Sequence, residues 1–277
     1  MPRNEERLGT KDQSASQPPI TEKNSILDFV LPTEFVDLPT KGRFYPEEHP
    51  LHNKESVEIR FMTAKDTDIL TSKSLLKKGV AVDRMLQNIL VDKNIKVENL
   101  FIGDKNSLMV AARISGFSSE YKTKVLCPSC GTSSECDFDL EELEPQPSDE
   151  DFEISKEGTF KVLLPKTEVE VECRLLTGVD EKSMFKTSEK RKKHNLPEET
   201  LTSQYKKFIV SINGVTERGL VEKFVDIMPA LDSSYLRKVY SRVAPNVEMK
   251  QEFSCSICDV DAVVDIPFSA NFFWPDR

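Results

Sequence analysis

Apolar and polar positions predict a strand followed by helices early in the chain. VEIRFM at 57–62 alternates in the manner of a strand. Thr63 and Asp66 then stand at capping-box spacing, so we expect a helix to begin near Ala64. Gly79 interrupts this helix. Helical spacing resumes at Val82, Met85, Leu86 and Ile89.

The same patterning continues over the rest of the chain. GTFKVLLP and EVEVECRLL, within 158–176, predict two strands around a turn at Lys166 and Thr167. Further helices are predicted over 103–117, 179–194, 197–210 and 218–243, the last interrupted at Pro229. Two more pairs of strand-like segments each enclose a short turn that contains two cysteines.

The two cysteine turns have the same spacing. Cys127 and Cys130 lie in KVLCPSCGTSSECDFDL, and Cys255 and Cys258 lie in QEFSCSICDVDAVVDIPF. When the two segments are overlaid on their cysteines, Asp137 falls on Asp265. Two hairpins that each supply two thiolates to one tetrahedral ion form a zinc ribbon. We therefore predict one structural zinc ion bound by all four cysteines, with no position open for catalysis.

The separation of the two pairs is unusual for a zinc ribbon. Ribbon pairs usually lie about 15–20 residues apart, whereas here residues 131–254 intervene. Loop closure cost grows slowly with loop length, so a folded insertion is tolerable. The alternatives are two unrelated pairs with free thiols, or a redox pair, which is less favoured because a strand follows each pair.

Two further cysteines are predicted to be core residues. In the overlay Cys136 falls on Val264, at a position that should face the interior, so it is better explained as a small core side chain than as a fifth ligand. Cys173 lies in an alternating strand and has the same interpretation.

Composition and charge argue against a protein that binds nucleic acid, spans a membrane or is secreted. The chain has 277 residues and a net charge of −9, which argues against a surface that binds nucleic acid. No apolar run has the roughly 18 residues of a membrane-spanning helix. The first 24 residues contain no secretion signal, so we expect folding in a reducing cytoplasm.

Other candidate sites have simpler explanations. His49, His52 and His194 lack partners at metal or triad spacing, so surface positions are expected. Asp104 after Gly103 is expected to be a plain N-cap. A basic run is expected to be a solvated helix face, and an acidic cluster lacks the fixed geometry of a calcium loop or a paired-carboxylate enzyme. The basic run is Lys186, Lys190, Arg191, Lys192 and Lys193, and the acidic cluster is Glu141, Glu142, Glu144, Asp149, Glu150 and Asp151.

The expected architecture is α+β, with a split zinc ribbon. The predicted parts are a disordered polar tail (1–24), an extended arm (25–56), a mainly helical region (57–120), the ribbon (121–140 plus 247–277) and an inserted segment of acidic linker, hairpin and helices (141–246). Five aromatic residues are left undecided between core and interface. They are Phe44, Tyr45, Phe272, Phe273 and Trp274.

Several ordered segments resemble one known family. LPTKGRFYP, MTAKDTDILTSKSLLKKGVAVDRML, IGDKNSL, CPSCG, LDSSYLRKVY, FSCSIC and FFWPDR are together similar to baseplate hub or hub-assembly proteins of T-even-type contractile-tailed bacteriophages. The resemblance implies a non-enzymatic tail protein. It would be made in the host bacterial cytoplasm and located in the virion baseplate, in multiple copies beside other tail proteins. The matching positions Cys127, Cys130, Cys255 and Cys258 would hold the zinc.

Two other functions stay open at this point. One is a baseplate assembly chaperone that is absent from the finished virion. The other is a zinc-ribbon accessory factor of a replication or transcription complex, although acidic residues flank both cysteine turns and disfavour DNA. They are Glu135, Asp137, Asp139, Asp259, Asp261 and Asp265.

Overall fold

Short helices alternate with small antiparallel sheets along the chain. The structure, a computed structural model, describes residues 31–148, 151–197, 199–266 and 270–273. Within these ranges the strands are β1 (Thr33–Asp37), β2 (Ser56–Arg60), β3 (Glu120–Leu126), β4 (Ser133–Asp139), β5 (Pro145–Gln146), β6 (Thr159–Leu163), β7 (Glu170–Arg174), β8 (Ile209–Ile212), β9 (Asn246–Val247), β10 (Lys250–Ser254) and β11 (Asp261–Asp265). The helices are α1 (Ala64–Thr71), α2 (Lys73–Lys77), α3 (Ala81–Ile89), α4 (Ile102–Gly116), α5 (Gly178–Lys193), α6 (Thr200–Phe208), α7 (Arg218–Ile227) and α8 (Ala230–Val243), with 3₁₀ turns at Val97–Asn99, Leu140–Glu142 and Ala270–Phe273. The predicted α+β class is confirmed.

The described strands pair in five antiparallel sheets. β1 pairs with β2, β3 with β4, β5 with β9 and β10 with β11, while β6, β7 and β8 form one three-stranded sheet in that order. The predicted division of the chain into tail, arm, helical region, ribbon and insertion stays a prediction. The polar tail, the first part of the arm (25–30), Asp149, Glu150 and Trp274 lie outside the described residues.

The helix start predicted from the Thr63 and Asp66 spacing is confirmed. Helix α1 begins at Ala64, and the Asp66 carboxylate accepts from both the backbone N–H and the hydroxyl of Thr63, each at 2.8 Å. The next predicted helix is also present as α3. Its buried residues include Met85, Leu86 and Ile89, which are fully inaccessible to solvent.

Two apolar clusters form the core. One joins β1, β2 and the first helices to both cysteine hairpins, and the other surrounds the β6–β7–β8 sheet and α5–α8. Tyr45, Phe272 and Phe273 are each 2% exposed. These three rings are therefore core residues, and Phe44 packs partly buried against the second cluster. The interface alternative is not supported for Tyr45, Phe272 or Phe273, because neighbouring rings already cover them, as Tyr121 covers Phe272 at 5.2 Å between centroids.

Asp104 is not the N-cap that the sequence suggested. It lies inside α4, fully buried, where its carboxylate accepts from the backbone N–H of Thr40 (3.0 Å), the Thr40 hydroxyl (2.6 Å) and the Tyr45 hydroxyl (2.7 Å). Burial raises the pKa of Asp104 despite these bonds. Burial and the neighbouring Asp104 charge raise the pKa of Tyr45 well above its usual value. These bonds tie the start of α4 to the loop that follows β1.

The helix predicted over 197–210 is shorter than expected. Helix α6 ends at Phe208, and Ile209–Ile212 form strand β8 beside β7. Ile209 and Ser211 are buried while the residues between and after them are half-buried. This alternation and the pairing to β7 outweigh the local helical spacing.

One arrangement of hairpin and helix occurs twice. In the first unit β1 pairs with β2 so that Thr33 faces Arg60 and Val36 faces Val57. In the second unit β6 pairs with β7 so that Thr159 faces Arg174 and Val162 faces Val171. We call residues 33–116 the first unit and residues 159–243 the second unit.

The helix of the second unit starts in the same way as the first. Arg174 and Asp180 form a bidentate ion pair, at 2.8 and 2.6 Å, and Asp180 completes a capping box with Thr177. Arg60 and Asp66 make the corresponding pair in the first unit, at 2.8 and 3.1 Å.

A buried aspartate in a later helix also binds each hairpin loop. Asp232 in α8 accepts from the backbone N–H of Lys166 (2.7 Å) and of Thr167 (3.1 Å), just after β6. Asp104 in α4 binds Thr40, just after β1. The units therefore correspond beyond the hairpins, and each is followed by one of the cysteine hairpins.

Candidate metal centre

The cysteine hairpins, β3–β4 and β10–β11, have the same strand register. Lys122 faces Asp137 in the first hairpin, and Lys250 faces Asp265 in the second. The overlay of Asp137 on Asp265 made from the sequence is therefore correct in space. Each hairpin carries its two cysteines at the turn.

The turns are also alike in backbone geometry. The N–H of Gly131 donates to the Cys127 oxygen and the N–H of Asp259 to the Cys255 oxygen, both at 2.9 Å. Gly131 and Asp259 have positive φ, 69° and 54°. Glycine adopts this left-handed conformation freely and aspartate tolerates it better than most residues, so each sequence permits the tight turn.

The structure brings all four predicted cysteines together. Their Sγ atoms lie within 4.8 Å of one another. Between the hairpins, Cys127 Sγ lies 3.7 Å from Cys258 Sγ, and Cys130 Sγ lies 3.8 Å from Cys255 Sγ. A tetrahedral ion about 2.3 Å from each sulfur would separate the sulfurs by about 3.8 Å, whereas a disulfide needs about 2.05 Å. The donor set therefore fits one metal ion.

Local hydrogen bonds favour thiolates at two of these cysteines. The hydroxyl and the backbone N–H of Thr132 lower the pKa of Cys130 to about 6. The backbone N–H groups of Ile257 and Cys258 lower the pKa of Cys255. Because a metal binds the deprotonated sulfur, such N–H groups stabilise the state that ligation requires.

The hairpins contact each other through a pair of hydrogen bonds that the sequence did not reveal. The backbone N–H of Asp139 donates to Gln251 Oε1 at 3.2 Å, and Gln251 Nε2 donates to the Asp139 oxygen. No spacing rule marks Gln251, because its partner lies in the other hairpin.

The remaining predicted candidates do not belong to the group of four cysteines. Cys136 is half-buried and its Sγ contacts the Ser134 oxygen, and burial raises its pKa. Cys173 is fully buried. The His49 ring stacks on Tyr45, with ring centroids 4.3 Å apart. Among the described residues, the cysteine tetrad is the one group of His, Cys, Asp or Glu side chains placed to bind a metal.

Comparisons with known proteins identify a family. The family model described as T4 bacteriophage base plate protein matches residues 43–274, which include both cysteine hairpins. Searches of curated proteins and of solved structures returned no match. No helix in the described ranges is long and apolar enough to cross a membrane. The match covers most of the chain and agrees with the resemblance of the sequence to T-even-type baseplate proteins, and we conclude that this chain belongs to the T4 bacteriophage base plate protein family.

Proposed function

We propose that this baseplate protein carries one structural zinc ion on Cys127, Cys130, Cys255 and Cys258. The observation that supports this proposal is the close approach of the four Sγ atoms, with Sγ–Sγ distances of 3.7 and 3.8 Å between the two hairpins. Four thiolates leave no position for water or substrate, so the ion stabilises the fold and performs no reaction. The two hairpins with this ion form a split zinc ribbon.

Zinc fits this donor set better than the hard cations. Thiolates in tetrahedral geometry select zinc or iron, whereas magnesium and calcium require oxygen ligands. Iron is the competing occupant, and it is distinguished by colour and by elemental analysis. We expect about one zinc per chain and no iron in protein purified under reducing conditions.

The ion has a mechanical role in this proposal. The first cysteine hairpin follows α4, which Asp104 ties to the loop after β1. The second follows α8, which Asp232 ties to the loop after β6. One ion that binds both hairpins therefore holds the two units in a fixed relation, and a subunit of fixed shape presents constant surfaces to its neighbours.

We further propose a non-enzymatic role in the baseplate hub of a contractile tail, in multiple copies beside other tail proteins. The chain would be made in the host cytoplasm, where six free cysteines are compatible with a reducing environment. Phe35 in the predicted arm remains 72% exposed, which supports partner binding by the arm. Trp274 of the aromatic C-terminus lies outside the described residues.

Quantitative mass spectrometry of purified phage tails tests this role. We expect a whole-number ratio of this chain to a tail protein of known stoichiometry, and we expect the ratio to survive washing. Absence from tails with abundance in infected-cell lysate would instead support the assembly chaperone. Co-purification with replication or transcription proteins would support the accessory factor, which the acidic residues around the hairpins disfavour.

A further inference from the structure

An apolar surface lies open where α7 meets α8. Its members are Leu163 at the end of β6, Ile227 at the end of α7, and Leu231 and Tyr235 on one side of α8. They are 64%, 79%, 60% and 38% exposed. We call these four side chains the junction face. Apolar groups concentrated on one surface mark interaction sites more often than scattered ones do.

Two hydrogen bonds tie the α8 part of the junction face to the loop after β6. The Asp232 carboxylate, next to Leu231, binds the backbone N–H groups of Lys166 and Thr167 at 2.7 and 3.1 Å. The start of α8 is thereby fixed against the loop that follows Leu163. Leu163 and Leu231 are therefore held on elements that are bonded to each other.

One position of the corresponding surface in the first unit is covered. Asp104 of α4 corresponds to Asp232 of α8, so Gly103, the residue before Asp104, corresponds to Leu231. A Cβ atom on Gly103 would lie 2.0 Å from the Pro245 oxygen, and Asn106 Nδ2 donates to Asn246 Oδ1 at 3.0 Å. The extended segment of residues 245–247 therefore lies directly on α4.

The second unit differs at the matching positions. Ser107, one helical turn after Gly103, donates to the Asp37 oxygen at the end of β1. Tyr235 and Leu163 occupy those two positions in the second unit. Gly103, Ser107 and Asp37 of the first unit are thus matched by the exposed apolar residues Leu231, Tyr235 and Leu163 of the second unit. Because Leu231 carries a side chain where Gly103 has none, a segment bound to the junction face must contact that side chain rather than the helix backbone.

Three lysines lie close in sequence to members of the junction face, as do the acidic residues Glu168 and Asp226, of which Asp226 pairs with Lys206. Lys166, Lys223 and Lys238 are exposed, and none of them forms an ion pair with another described residue. The chain as a whole has a net charge of −9. Unpaired lysines beside an apolar face complement a segment that carries both apolar side chains and carboxylates.

We propose that the junction face binds a segment of a neighbouring tail protein that carries both apolar and acidic side chains. The inference rests on the proposed function and adds to it the surface and the chemistry of the partner. Leu231 and Tyr235 supply the apolar contacts, and the lysines bind the carboxylates of the segment.

Photo-crosslinking in infected cells tests the proposal. A photoreactive phenylalanine replaces Tyr235 in the full chain, which complements a phage that lacks the gene. We expect one product with another tail protein, joined at a segment containing apolar and acidic residues. The matched control replaces Leu196, which is 50% exposed between α5 and α6. Products only with a second copy of this chain or within the chain, no product, or the same product from Leu196 would each overturn the proposal.

A charged variant gives an independent readout. Leu231→Asp should lower incorporation into particles about tenfold or more, as loss of a central interface contact does. Its metal content and melting temperature should stay at wild-type values, and Leu196→Asp should incorporate normally. If folded Leu231→Asp protein joined particles as well as the wild type does, the junction face would not be a binding surface, and the proposed function would be unaffected. If the wild-type protein itself did not join particles, the proposed function would fail instead.

Discussion

Cys127 Sγ lies 3.7 Å from Cys258 Sγ, although the residues are 131 positions apart in the chain and belong to different hairpins. Cys130 and Cys255 repeat this relationship at 3.8 Å. Neither hairpin can fill a four-ligand site alone. Metal binding therefore depends on both hairpins being correctly folded at once.

Replacing Cys130 by Ser should release the metal and destabilise the protein, because the free energy of binding a structural metal is part of the free energy of folding. We expect less than about one tenth of the wild-type zinc content and a melting temperature lower by several degrees or more. Elemental analysis and thermal unfolding provide the measurements. Cys136→Ser is the control and should retain the metal. Stoichiometric zinc in a Cys130→Ser protein of unchanged melting temperature would rule out the four-cysteine site.

Removing Asp104 should destabilise the fold, because Thr40 and Tyr45 would lose their buried acceptor. We expect Asp104→Ala to cost about 2–4 kcal/mol, since its hydrogen bonds involve a charged group and leave buried donors unpaired. Denaturant unfolding gives the free energy directly. Asp68→Ala, at an exposed position of α1, should change it by less than about 0.5 kcal/mol. Similar values for the two variants would contradict this role.

The Asp66 carboxylate should make stability fall with acid. Burial alone would raise the pKa of Asp66, but hydrogen bonds from Arg60, Thr63 and Asn88 outweigh it and lower the pKa to about 2. A lowered folded-state pKa means that the contribution is complete above about pH 4 and is lost as the pH falls through about 2. The free-energy difference between wild type and Asp66→Asn should therefore shrink from pH 7 to pH 3. A difference that is constant over this range would exclude the linkage.

Gly103→Ala should destabilise the contact between α4 and residues 245–247. The new Cβ would lie 2.0 Å from the backbone oxygen of Pro245, so the backbone must move. We expect a cost of about 1–3 kcal/mol, typical of overpacking. Gly219→Ala is the matched helical control, because its Cβ meets no atom closer than 3.9 Å. Equal stability of the two variants in urea unfolding would show that the segment does not pack tightly on α4.

Phe272→Ala should act on folding rather than on binding alone. The ring is 2% exposed and packs edge-on against Tyr121 and Phe273. Truncation of a buried phenylalanine costs about 3–5 kcal/mol, which should appear as a lower denaturation midpoint of the isolated protein. Phe35→Ala, at an exposed position, should leave the midpoint unchanged. An unchanged midpoint for Phe272→Ala would favour a role for this ring in an interface instead of the core.

Local signals in the sequence predicted most element starts and the cysteine pairs. Thr63 and Asp66 are three residues apart, so one capping rule finds them, and each Cys pair has a spacing that a knuckle requires. The predictions succeeded where partners are close in sequence.

Distant partners account for the main differences. Asp104 looked like an N-cap because its actual partners, Thr40 and Tyr45, lie 64 and 59 residues earlier. The aromatic C-terminus was undecided because Tyr121, which covers Phe272, is far along the chain. Residues 209–212 became a strand because β7 lies beside them, and periodicity in one segment does not reveal its neighbour.

The division of the four cysteines between two distant hairpins sets an order of events during synthesis. Cys255 leaves the ribosome 125 residues after Cys130, a delay on the order of ten seconds at about 5–20 residues per second. Until then Cys127 and Cys130 can bind an ion only if water or another molecule supplies the remaining ligands. Completion of the proposed zinc site thus waits until Cys255 has been synthesised, and a chain interrupted before Cys255 never reaches it. Zinc content would in this way distinguish finished subunits from prematurely terminated ones.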